Sequence, residues 1–264
     1  YLDAGGEKKI CYNARFFRGK DTSFNAQQER WYVANQSWTT DENGDPIIKD
    51  ALDVLGNVHL ILMDNVTVSC EQRGIHVTGD NKLTIYSQSL GDQMGKLYAE
   101  NAMEVQAVGC GAGIGGYVSQ VDEDAMPKKS GTITINGGEI HATGSAGSAG
   151  IGGCFNGEAG EIVINNGKII ANGGHFAAGI GSGDAGYATK ITINGGYVKS
   201  TGHGRAAGIG GGGAGKAASK CPGGGTININ GGYVEAYGGT GYNNGIYWNF
   251  EYLSMELMAK IHKI

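Results

Sequence analysis

From residue 131 onward, apolar and polar positions alternate in short runs that recur down the chain. In Thr132-Ile133-Thr134-Ile135 the isoleucines fall on one side and the threonines on the other. That period of two marks a half-buried strand. The pattern returns at Ile162-Val163-Ile164, Ile191-Thr192-Ile193 and Ile227-Asn228-Ile229, and each run ends on an asparagine: Asn136, Asn165, Asn194 and Asn230. A second alternating run follows each time, at Glu139–Ala142, Lys168–Ala171, Tyr197–Ser200 and Tyr233–Ala236. A third segment reads Gly-Ile-Gly-Gly or Gly-Ile-Gly-Ser, centred on Ile114, Ile151, Ile180 and Ile209. The step from Ile151 to Ile180 equals the step from Ile180 to Ile209, and it also separates Asn136 from Asn165 and Asn165 from Asn194. That shared step is the repeating unit, and two of the copies carry short insertions.

A fixed period of this size is the mark of a solenoid. Three strands per turn, with Asn-Gly or Gly-Gly corners and no helical spacing, predict an all-β, right-handed parallel β-helix. The corner asparagines should stack and hydrogen-bond along the axis. Upstream the unit is degraded but traceable through Val58–Leu62, Val66–Val68, Gly74–Val77, Lys82–Tyr86 and Gly95–Ala99. The expected organisation is one structural domain. Residues 1–54 form an N-terminal cap and edge region with a strand at Trp31–Val33. Residues 55–249 form about six coils, and 250–264 a C-terminal helical cap or linker in which Leu253, Leu257 and Ile261 share a face.

Composition narrows the class. Glycine supplies 50 of 264 residues and proline only 3. Nine glycines lie in residues 1–100 and 41 in 101–264, so the excess belongs to the repeats. Collagen is excluded, since there is no Gly-X-Y period. With 40% hydrophobic and 17% charged residues, the chain has enough to bury, which argues against disorder. A net charge of −5 argues against binding driven by nucleic-acid phosphates. Val58–Met63, the longest strongly apolar stretch, is too short to cross a bilayer. The start at Tyr1 without a signal peptide is what a mature or excised domain would show, and it leaves an extracellular or cell-surface home open. The five cysteines, Cys11, Cys70, Cys110, Cys154 and Cys221, show no metal spacing and read as small buried hydrophobes with one loop cysteine.

Several motifs carry less chemistry than they suggest. Gly210–Ala217 falls one residue short of a phosphate loop, with alanine where magnesium needs a hydroxyl. Asp122-Glu123-Asp124 has the oxygens a structural calcium would take, but a solvated acidic loop is preferred, and no cofactor is expected. Glu139, Lys168, Lys199 and Glu235 occupy different coils with no evident pairing. Glu158 and Asp184 lie in neighbouring loops and could approach each other, though nothing requires it; His175, His203 and Arg205 lie near equivalent corners, where solvated side chains are the preferred reading over a catalytic group. No catalytic residue is assigned. What remains is aromatic. Tyr197 and Tyr233 hold the same outward position in consecutive coils, with Tyr237 at the strand end. Tyr117, Phe155 and Tyr187, with Tyr247 and Trp248 in the last coil, suggest a second row in the loop after the glycine-isoleucine segment. Coils about 4.8 Å apart repeat at close to the length of one β-linked sugar, and flat rings stack on sugar faces. Tyr117, Phe155, Tyr187, Tyr197, Tyr233, Tyr237 and Trp248 are the candidate carbohydrate-binding residues.

The succession Leu60-Ile61-Leu62, Gly74-Ile75-His76-Val77, Leu83–Gln88, Gly95-Lys96-Leu97 and the repeated Ala-Gly-Ile-Gly-Gly and Thr-Ile-Thr-Ile-Asn-Gly-Gly motifs resemble secreted gut-bacterial repeat proteins described as carbohydrate-binding. More narrowly, they resemble carbohydrate-binding module family 89, a β-helical module linked to family 10 xylanases. The resemblance covers about residues 55–249, and its motifs specify coils rather than ligands. It implies a non-catalytic module for xylan or a related β-linked glycan, with a catalytic xylanase domain in the same parent chain and no membrane insertion. A β-helical polysaccharide lyase or hydrolase is the alternative. A surface adhesin is a further one.

Overall fold

The computed structural model describes residues 1–19, 23–25, 29–40, 43–44, 47–102, 110–118, 129–188, 190–213 and 225–240. Among them all regular structure is strand, arranged as a right-handed parallel β-helix with three faces. Face 1 stacks Ser23–Asn25, Leu52–Leu55, Ile75–Val77, Ile114–Gly115, Ile151–Gly152, Ile180–Gly181 and Ile209–Gly210. Face 2 stacks Arg15–Phe16, Arg30–Ala34, Asn57–Leu62, Lys82–Ser87, Thr132–Ile135, Glu161–Ile164, Lys190–Ile193 and Thr226–Ile229. Face 3 stacks Thr67–Cys70, Lys96–Glu100, Glu139–Thr143, Lys168–Asn172, Tyr197–Thr201 and Tyr233–Tyr237. Every pairing between these strands is parallel and in register from coil to coil, as in Ile133↔Ile162 and Ile191↔Ile227.

The inward positions form vertical apolar columns. Ile133, Ile162 and Ile191 make one; Ile135, Ile164 and Ile193 another; Ile140, Ile169 and Val198 a third. All of these are fully buried. Face 1 is narrow because its glycines touch the next coil. Gly152 has φ +132°, and a Cβ built there would lie 2.0 Å from Gly181 O. No side chain fits, which is why the glycine-isoleucine motif cannot drift.

The boundary expected at residue 55 lies earlier. Ser23–Asn25 pairs with Leu52–Leu55, and Arg30–Ala34 pairs with Asn57–Leu62, so the segment read as a cap already forms coils. Six complete three-stranded turns can be followed, as expected, and before them lies one further turn whose third side is a single bridge from Trp38 to Val68. This turn was hard to read because its interior is Phe17, Phe24, Tyr32 and Ala34 instead of a regular aliphatic run. Residues 1–9 form a small strap over face 2, with an antiparallel Leu2–Lys8 bridge and Leu2 N–H donating to Ser87 O at 2.9 Å. The tail read as a helix, 250–264, lies outside the described residues.

Candidate functional site

Face 3 carries a stripe of outward side chains that is open to solvent beyond the buried Ser69. Register fixes three columns. The first runs Thr67, Lys96, Glu139, Lys168, Tyr197, Tyr233; the second runs Ser69, Tyr98, His141, Ile170, Lys199, Glu235; the third ends Asn172, Thr201, Tyr237. Alternation puts Leu97, Ile140, Ile169, Val198 and Val234 inside, so the outward residues have no freedom to turn in.

In the last two coils the stripe is aromatic. Tyr197 and Tyr233 are nearly parallel, 7° apart, with ring centroids at 5.5 Å. That separation exceeds the thickness of a ring, so the pair is offset and each ring leaves part of its face uncovered. Tyr233 is 56% exposed and Tyr237 38%. Glu235 ties the group together: its carboxylate accepts from Tyr237 OH at 3.0 Å and Tyr197 OH at 3.4 Å. Hydrogen bonding to the Glu235 carboxylate and its negative charge raise the phenol pKa of Tyr233 and Tyr237; for Tyr197 desolvation comes first and that charge second. Lys199 Nζ sits 5.7 Å from the Tyr237 ring centroid, within cation–π range. The result is a rigid, partly wetted platform with ring faces, hydroxyls, a carboxylate and an ammonium side by side.

One coil group earlier the same face is ionic. Glu139 is held by Lys168 at 2.9 Å, Lys96 at 3.2 Å and His141 Nε2 at 3.0 Å. Desolvation raises its pKa, but these three donors outweigh it and hold the carboxyl down at about 2. The His141 ring stacks on Tyr98, 4.5 Å between centroids and 15° apart. The pairing of Glu139 with Lys168, absent from the sequence reading, follows from their sharing one register column in adjacent coils. Tyr98 and His141 were missed because they belong to a degraded coil and to a position filled by Ile170 in the next.

The loop row does not form a column. Backbone pairing between coils sets Tyr117 level with Cys154, Phe155 level with Asp184 and Tyr187 level with Glu158. Tyr117 lies flat on His76, 3.8 Å between centroids and 10° apart, and His76 in turn meets Asp53 at 3.0 Å. Phe155 is half-buried, and Tyr187 stands out at 55% exposure. Trp248 and Tyr247 lie outside the described residues, as does the acidic loop at Asp122–Asp124. Glu158 pairs with Lys129 at 3.3 Å, while Asp184 is buried. His175, His203 and Arg205 are exposed, with His203 Nδ1 at 2.7 Å from Gly173 O. Among the described residues, no group of three or more His, Cys, Asp or Glu side chains is placed to hold a metal ion.

Four segments, residues 133–157, 162–184, 191–213 and 227–246, match a family model described as a beta helix repeat. Each begins on the second residue of a face 2 strand, so the matched unit and the structural coil coincide. The repeat describes the scaffold that carries the stripe. Comparison with curated proteins and with solved structures finds no match.

Proposed function

We propose that this chain is a non-catalytic carbohydrate-binding module for plant cell-wall polysaccharide, with xylan as its leading ligand, and that it serves a glycoside hydrolase domain of the same parent chain outside the cell. The observation that carries this reading is the Tyr197–Tyr233–Tyr237 platform, tied by Glu235 and flanked by Lys199. Sugar rings present flat C–H faces and a rim of hydroxyls. The platform offers the matching pair, exposed ring surface and hydrogen-bonded polar groups, on strands paired in register. Because the platform is preorganised, little entropy is lost on binding, and useful affinity needs no net charge. The lateral face extends along the coil axis, which suits an extended chain better than a closed pocket would. The resemblance to a xylan-binding family points the same way.

The test pairs affinity electrophoresis on a panel of neutral and acidic polysaccharides with assays for new reducing ends and unsaturated products. Retardation by xylan without products is the expected result. New ends or unsaturated products from this chain alone would move it to the lyase or hydrolase class.

A further inference from the structure

Asn-Gly pairs recur at the corners and loops of the described repeats: Asn136-Gly137, Asn156-Gly157, Asn166-Gly167, Asn172-Gly173, Asn194-Gly195 and Asn230-Gly231. Such a pair is chemically labile, because glycine brings no side chain to shield its nitrogen from the asparagine amide beside it. We propose that the fold singles out Asn166-Gly167 as a site of spontaneous deamidation and holds the other five pairs inert. This chemistry is independent of any ligand on face 3.

Asn166 occupies a corner position that the neighbouring coils fill with glycine. Backbone pairing sets it level with Gly137 on one side and Gly195 on the other, so no side chain flanks its amide from either position. Its Oδ1 accepts the Gly167 N–H at 2.8 Å, and among the described residues its side chain makes no other bond. The glycine nitrogen already touches the amide it would attack, and Nδ2, the leaving nitrogen, is unheld. Each of the other pairs is committed elsewhere. Asn136 is buried, and its Oδ1 accepts from Asn165. Asn194 and Asn230 both donate Nδ2–H into the asparagine ladder. Gly157 N–H donates to Cys154 O at 3.0 Å, and Gly173 N–H to Thr201 O at 2.9 Å. Releasing one such bond first would slow the reaction by about tenfold.

The step balances within the chain and one water molecule. Gly167 N gives up its proton and bonds Asn166 Cγ; the Cγ–Nδ2 bond breaks, and the nitrogen leaves with that proton as ammonia. Water then opens the five-membered imide. Addition at Cγ gives aspartate, addition at the main-chain carbonyl gives isoaspartate, and nothing is oxidised or reduced. Either product brings a new carboxylate. Isoaspartate also lengthens the backbone by one methylene, and the corner has no slack for it. A Cβ built on Gly167 would lie 2.6 Å from Gly138 O, and one on Gly196 would lie 2.5 Å from Gly167 O. The strain falls next on Asn165, whose amide carries two bonds of the ladder.

The experiment ages the intact chain in mildly alkaline buffer and follows each pair by mass-spectrometric peptide mapping, with enzymatic methylation to count isoaspartate. Asn166 should convert about tenfold faster, or more, than any of the other five. In denaturant that lead should vanish, because all six amides are then free. Aged chain that carries isoaspartate should unfold at lower denaturant than the parent, whereas Asn166→Asp should unfold near it. Asn166→Gly copies the adjacent coils and places a glycine after Asn165; held by the ladder, Asn165 should stay unreacted. Comparable rates at all six pairs in the folded chain, earlier reaction at Asn194 or Asn230, the same ranking in denaturant, or conversion of Asn165 in Asn166→Gly at the parent's Asn166 rate would each overturn the assignment.

Discussion

Asn165 donates its Nδ2–H to Oδ1 of Asn136 at 2.7 Å. Its own Oδ1 accepts from Asn194 at 2.7 Å, and Asn194 accepts in turn from Asn230 at 2.7 Å. All donors point the same way along the axis, so the four amides form one polarised chain on the edge between faces 2 and 3. Such a ladder needs side chains that donate and accept at once and that fit one strand spacing, and asparagine meets both conditions.

A break in the middle of this ladder should cost more than a break at its end. Asn165→Ala removes two amide bonds and leaves Asn136 without a donor and Asn194 without an acceptor. A loss of about 1–3 kcal/mol is expected. Asn230→Ala, on an exposed terminal corner, removes the single ladder bond to Asn194 and should cost about half as much. Chemical denaturation of the two variants against the parent measures the difference; equal values would mean that the ladder adds nothing beyond separate surface contacts.

Gly181 provides a steric test of the coil spacing. Its φ is +141°, and a Cβ would lie 1.9 Å from Gly210 O, a backbone atom that cannot step aside. Gly181→Ala should therefore abolish two-state folding or cost more than about 3 kcal/mol. Gly79 also has positive φ, +63°, but nothing lies within 4 Å of its would-be Cβ. Gly79→Ala should cost only about 1 kcal/mol, the backbone strain alone. Denaturant midpoints of the pair separate the clash from the strain.

How far the sequence could be read depended on how regular each coil was. The isoleucine columns, the three sides and the asparagine ladder were legible because each motif recurs at one spacing and each position has one physical duty. The first turn was not, since Phe17, Phe24 and Tyr32 fill its interior with bulk that breaks the aliphatic pattern. Tyr197, Tyr233 and Tyr237 were legible as outward residues from strand alternation. The loop aromatics were misjudged as a row because loop length, unlike strand register, does not preserve position from coil to coil. The Glu139–Lys168 pair stood one repeat apart in the aligned motifs and could have been read from them, whereas Lys96 and Tyr98 join that cluster from a degraded coil whose register the motifs do not fix.

Acid should weaken the chain through Glu139. Its ordinary pKa of 4.5 falls to about 2 in the fold. A depressed carboxyl contributes stability that is fully present above the unfolded value and is lost as pH falls toward the folded one. The window is therefore about pH 4.5 down to 2, and because Lys96 and Lys168 are solvent-exposed, screening holds the gain to about 1 kcal/mol. Thermal melts of the parent and Glu139→Gln should differ most near neutral pH and converge toward pH 2. A gap that stays constant across that range would mean that Lys96, Lys168 and His141 stabilise the glutamine equally well.

The tyrosine platform makes the functional prediction. Tyr233 and Tyr237 are exposed, so truncating either should leave the melt nearly unchanged while removing ring surface from the proposed ligand path. Each of Tyr233→Ala and Tyr237→Ala should weaken xylan retention by about two- to tenfold, the range expected for one aromatic contact. Tyr197→Ala should act on both binding and stability, because its ring also braces Tyr233; Tyr197→Phe keeps the stack, loses the contact to Glu235, and should bind more nearly like the parent. Xylan without acidic branches offers no charge, so retention by face 3 should vary little with salt. Tyr187→Ala is the control for the loop reading, since that ring is exposed but stands apart from the platform. Tyr117→Ala is a poor reporter, because it uncovers His76 and perturbs the coil beneath. Loss of retention in the three face 3 variants with parent-like binding by Tyr187→Ala would put the ligand on the platform. Parent-like binding by all three, with a loss in Tyr187→Ala, would move it to the loops between faces 1 and 2.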